Sequence, residues 1–181
     1  MQAFTERLMT GAGFILAINV TFAGLLAAAF AALALFDKRQ AAPGWFALGY
    51  VVGALYFLLE FTLPFAGGAL WLGMLGYATF LVALAVVAVG IARLYGRPVP
   101  WRLLAVLLVA GVAARLAIEG MPRESFFRQV AFQFPYAAMQ AVGVWLMIGA
   151  VRRSLDNVLL AVLALSALQY LAKPFVALMS G

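Results

Sequence analysis

Cysteine and histidine are both absent from the 181 residues. Their absence removes disulfides and thiol chemistry, histidine-ligated haem, and histidine-based zinc, copper or iron sites. Any histidine general base is excluded too. Charge is scarce: 10% of residues are charged, with 6 acids against 12 Lys and Arg. A soluble domain of this length would need far more charge to cover its surface. The sequence holds no P-loop, no GxSxG and no HExxH. Glu119 and Glu124 make a poor acid/base pair, because Arg123 shares their loop. The chain is therefore expected to be non-catalytic, with no metal and no cofactor. No internal repeat is visible, which weighs against an inverted-repeat transporter.

What is abundant is apolar: 67% of the residues are hydrophobic. They fall in runs long enough to cross a hydrocarbon layer about 30 Å thick. Six such runs are expected, at roughly 10–36, 44–64, 68–93, 101–119, 130–151 and 155–178. Leu and Ala dominate them, and both favour helix. In lipid the backbone must satisfy its own hydrogen bonds, which leaves helix as the sensible conformation. The expected fold is all-α: a polytopic membrane helical bundle of about six transmembrane helices, forming one domain over 1–181. The first run is too long for a signal-peptide core and no clear cleavage site follows it, so it reads as a membrane helix.

The net charge is +6 and the pI about 10.2. These cations sit in short loops beside apolar runs, so membrane lipids and topology account for them, and no nucleic-acid partner is expected. Lys38, Arg39, Arg93, Arg97, Arg102, Arg152 and Arg153 follow the odd-numbered runs, and Arg7, Arg123 and Arg128 lie on the other side. By the positive-inside rule the richer side faces the cytoplasm, and both termini face outward. The aromatic residues near run ends, such as Trp45 and Trp101, read as an ordinary interfacial belt.

The informative residues are the polar ones inside the runs. Glu60, Arg115 and Lys173 are all expected at one depth, in the outward half. Gln129, Gln133, Tyr136 and Gln140 recur at spacings that line one helix face, as do Ser166, Gln169 and Lys173. Tyr56 lies one turn before Glu60, and Asn19 lies in the first run. Two readings stand side by side. The cluster lines a polar cavity for a small-molecule or lipid ligand, or it fixes helix packing through ion pairs and hydrogen bonds. On either reading Glu60 is expected to face the bundle interior near Arg115 or Lys173, because an unpaired carboxylate in lipid is costly. Gly49 and Gly53 form a small-xxx-small pattern that predicts close helix approach. Pro135 and Pro174 are expected to kink or end their helices.

Several short segments carry a resemblance. They include Trp45-Phe-Ala-Leu-Gly-Tyr, Leu55-Tyr56 with Glu60-Phe61 and Leu63-Pro64, Arg93-Leu-Tyr-Gly with Pro100-Trp101-Arg102, Pro135-Tyr136 with Met139-Gln140-Ala141, and Lys173-Pro174-Phe175. Together they resemble the membrane-embedded N-terminal sensor region of proteobacterial GGDEF-domain proteins. The resemblance implies a sensor in the bacterial inner membrane that controls a cytoplasmic diguanylate cyclase and dimerises through that output domain. No GGDEF segment is present in this chain, so the cyclase would follow a further span. The alternatives from the residues alone are a small transporter or channel and an accessory subunit of a membrane complex.

Overall fold

The computed structural model describes residues 11–37, 40–122, 124–150 and 154–180, with only the helical backbone described at 12 and 177–180. Six helices follow one another: α1 (Gly11–Phe36), α2 (Ala42–Thr62), α3 (Leu70–Leu94), α4 (Trp101–Ala117), α5 (Phe126–Met147) and α6 (Ser154–Ser180). The described residues contain no strand.

The connections explain where the helices stop. Pro43 stands in the first turn of α2, where its missing N–H costs nothing. After α2, Pro64 opens a turn that closes on Gly67 and Gly68 at φ 65° and 73°, a left-handed conformation open chiefly to glycine. Pro98 and Pro100 keep the chain extended before α4. Pro135 lies inside α5, yet the helix runs unbroken from Phe126 to Met147. Its ring packs against α4 at Gly111, where a built Cβ would come within 3.0 Å of the Pro135 Cβ.

Five helices are long and apolar enough to cross a membrane, and the chain is a membrane protein with a helical-bundle fold. The exception is α4, with 17 residues. At about 1.5 Å per residue it still reaches some 25 Å. α5 starts one turn earlier than the apolar pattern suggests, so Arg128 lies within a helix and not in a loop. The cations Arg7, Lys38, Arg39, Arg123, Arg152 and Arg153 lie outside the described residues.

α3 is the centre, packing on α2, α4 and α5; α5 in turn packs on α4 and α6, while α1 packs on α2 alone. Burial follows that order. Half of α3's apolar window is buried (50%), against 6% for α6. The outer helices therefore present large side chains such as Phe22, Leu25, Leu165 and Phe175 outward. In water so much exposed apolar surface would drive association, and in lipid it is neutral. Core contacts gather around Leu81, Val89, Ile91, Met139 and Met147, all nearly inaccessible.

Helix direction alternates, as two polar cavities show. One is lined from the end of α2, the start of α3, the end of α4, the start of α5 and the latter part of α6. The other is lined by Gln40, the 94–97 turn, Gly149, Ala150 and Asp156, at the opposite ends.

Candidate functional site

At the first of these ends the helices line an open cavity of about 920 Å³. Glu60 reaches it from α2, Arg115 from α4, Gln133 from α5, and Gln169 and Lys173 from α6. Five of the residues expected from the sequence thus share one wall-to-wall space, contributed by four helices. The geometry that holds it open is simple. α2 and α6 both border the cavity, but their backbones do not pack on each other.

The expected ion pair is not there. Among the described residues the one salt bridge joins Arg115 to Glu119, one turn further along the chain. An i, i+4 partner is presented by the helix itself, whereas Glu60 would have to be met across the bundle. No hydrogen bond or salt bridge to Glu60 occurs among the described residues. Its carboxylate instead lies over a glycine of α3: a Cβ built at Gly76 would sit 3.3 Å from Glu60 Oε1. The Lys173 ammonium lies 5.0 Å from the Tyr170 ring centroid, and the Arg115 guanidinium 5.9 Å from that of Phe132. Both arrangements are cation–π contacts. Gln133 Oε1 is buried with no hydrogen-bond partner.

One turn deeper lies a layer of aromatic rings. Tyr56 of α2, Tyr77 and Phe80 of α3, Phe132 and Tyr136 of α5 and Tyr170 of α6 form a connected cluster. Neighbouring centroids are 4.6 to 6.4 Å apart. Tyr77 and Tyr136 are only 2% and 4% exposed, so the layer is closed at its centre. The Tyr77 hydroxyl donates to the Phe132 carbonyl at 3.3 Å, in the turn before Pro135. Tyr56 belongs to this floor and not to the cavity wall.

Three expected residues fall elsewhere. Gln140 donates to Ser166 Oγ at 3.1 Å and borders a separate, smaller groove below the rings. It joins α5 to α6, the packing role that the alternative reading gave the glutamines. Asn19 sits on α1, which packs on α2 alone, and it lines neither polar cavity. Gly53 takes no part in close packing, since nothing lies within 4 Å of a Cβ built there. Gly49 does: its Cβ would come 2.7 Å from Val87 Cγ2 and 3.5 Å from the Val87 nitrogen.

Some residues of the site escaped the sequence reading. Arg128 lines the cavity and donates to the Met121 carbonyl. It was counted among loop cations because the apolar run begins only at Val130. Gly73 and Gly76, three apart on α3, make room for the cavity and for Glu60. A small-xx-small spacing in the third run was the available signal.

The other polar cavity, about 630 Å³, differs in kind. Arg97 donates to the Ile148 carbonyl at 3.1 Å. Burial and the neighbouring Asp156 push the Tyr95 hydroxyl up to about 12. Comparison with known protein-family models, curated proteins and solved structures finds no match.

Proposed function

We propose that this chain is a non-catalytic sensor module of the bacterial inner membrane. It takes a small-molecule or lipid ligand at the Glu60 end and controls a diguanylate cyclase on the opposite, cytoplasmic side. The observation that carries the ligand-binding half is the convergence of Glu60, Arg115, Gln133, Gln169 and Lys173 on one cavity. Polar groups inside a membrane bundle are costly, and their gathering around open space favours a site over packing. A transport path would continue the polar lining toward the other end. Here the charged lining stops at the aromatic layer, and the groove beyond it is lined by apolar residues such as Leu84, Ala88 and Ile91, with Tyr50 and Gln140 as its polar members.

The output half rests on the resemblance to GGDEF-associated sensor regions, with the module dimerising through its output domains. The cytoplasmic end is assigned to Arg93, Arg97 and Arg102 by the positive-inside rule, which leaves the N-terminus outward. Coupling has a physical route. Among the described residues the α6 backbone packs on that of α5, and Tyr170 reaches Phe80 of α3. A ligand that bridges Lys173 to Glu60 ties α6 to α2 and so favours one packing over another.

The test measures cyclic di-GMP in cells carrying the module joined through a further span to its cyclase, as wild type and as E60Q. Output that shifts with E60Q at unchanged protein level supports the reading. Output indifferent to substitution at Glu60, Lys173 and Arg128 alike sinks it. Orientation is checked separately with R97C, since no native cysteine interferes. Labelling of that position by an impermeant reagent from the periplasm would reverse the assignment.

A further inference from the structure

We propose that the Glu60-end cavity takes a zwitterion, with its ammonium on the Glu60 carboxylate and its phosphate or carboxylate held by Arg128 and Lys173. The inference deepens the sensor reading and rests on it.

The unpartnered groups around the cavity decide the ligand's chemistry. Among the described residues Glu60 lines the cavity with no hydrogen bond or salt bridge to its carboxylate. A carboxylate held among helices needs positive charge as well as hydrogen bonds, and an ammonium supplies both. The positive side of the wall is equally unbalanced. Arg115 is compensated by Glu119. Arg128 spends its hydrogen bond on a neutral carbonyl, that of Met121. Lys173 rests on a ring. Neither Arg128 nor Lys173 meets a carboxylate among the described residues. A simple anion would leave Glu60 stranded, and a simple cation would leave Arg128 and Lys173 stranded. A zwitterion answers all three.

The cavity, about 920 Å³, is much larger than a small amino-phosphate, and Leu63, Ala172 and Val176 make part of its wall apolar. A lipid headgroup with its tail along that wall and a free amino-phosphate are two sources of the same chemistry.

Isothermal titration of the detergent-purified chain with phosphoethanolamine, ethanolamine and inorganic phosphate tests this. Phosphoethanolamine is expected to bind at least about tenfold tighter than either half, since each loses a charge-assisted contact. E60Q should bring its affinity down to that of phosphate. The pair R128Q/K173Q should bring it down to that of ethanolamine. Should E60Q fold poorly, G76A is the second variant. Its added Cβ displaces the Glu60 carboxylate but keeps the charge, and it should weaken phosphoethanolamine while sparing phosphate. Nanodiscs separate the sources. Competition by phosphatidylethanolamine but not phosphatidylglycerol identifies a headgroup, and competition by neither identifies a soluble ligand. Equal affinity for phosphate and phosphoethanolamine overturns the proposal, as does affinity indifferent to both E60Q and G76A, or no binding of any probe. A ligand of another class whose binding depends on Glu60 would also overturn the zwitterion, yet leave the sensor reading in place.

Discussion

Toward the Arg97 end, α2, α3 and α5 approach one another through glycines. Gly49 meets Val87 and Gly90 meets the Phe46 ring at distances under 3.0 Å from a built Cβ, and Gly143 meets Ile91 more loosely at 3.2 Å. Ala88 to Ala92 form an uninterrupted buried run in α3. Toward the Glu60 end a cavity lined with charge opens between α2 and α6, whose backbones do not pack on each other. The contrast has one cause. Small apolar residues let helices close up and gain dispersion contacts. Long charged and amide side chains need either partners or space, and here most of them have space.

The comparison is broken most severely by filling the close-packed half. G49L should cost about 1–3 kcal/mol or more, because overpacking must push α2 off α3. G53L should cost little, because nothing stands within 4 Å of a Cβ built there. Thermal unfolding of the two variants in detergent checks the pair, and equal losses would contradict the packing asymmetry.

A smaller effect belongs to the bond between Gln140 and Ser166. Q140L should lower stability by about 0.6 kcal/mol, the typical worth of an interhelical hydrogen bond in a membrane protein. Ligand affinity should not change, since Gln140 lies below the aromatic layer. A fall in affinity as large as that of E60Q would extend the site past the rings.

The Arg97 end carries a pH signature. The Tyr95 hydroxyl is held above its ordinary 10.0, at about 12. A group whose pKa is raised by folding contributes stability below its unfolded value and loses it as pH climbs through the folded value. The melting temperature should therefore decline between pH 10 and 12, and Y95F should decline less over that window. Melting curves from pH 9 upward, identical for the two proteins, would remove Tyr95 from the account.

The smallest effect is the most diagnostic. E60Q should leave the melting temperature unchanged or slightly raised, because no cation is stranded when the charge goes. Had Glu60 been paired with Arg115 or Lys173, its neutralisation would be strongly destabilising. A large loss of stability in E60Q would restore the packing role that the sequence allowed for.

Much of the site was legible as depth. Glu60, Arg115, Gln133, Gln169 and Lys173 share one cavity because alternating helices bring the end of one beside the start of the next, and hydropathy alone sets that register. Rotation about each helix axis was harder to read. Nearly uniform apolar helices such as α1 and α2 carry almost no facial signal, so the pattern points Asn19 to a polar cavity that it does not line and Gly53 to a close approach that it does not make. Gln140 was placed correctly on its helix face but one layer too high, because a run of glutamines gives no sign of where an aromatic floor will cross it.

By itself the sequence determined that this chain is a bundle of membrane helices, for the reason that its apolar runs can satisfy their backbones in no other way. It also determined which polar residues share a depth. Only the tertiary structure decided the partners. Arg115 is taken by Glu119 through a single helical turn, while Glu60 lies over Gly76, where a built Cβ would sit 3.3 Å from its Oε1. Pairing depends on angstrom-scale positions of helices that touch through few side chains, and no pattern along one strand of sequence records those.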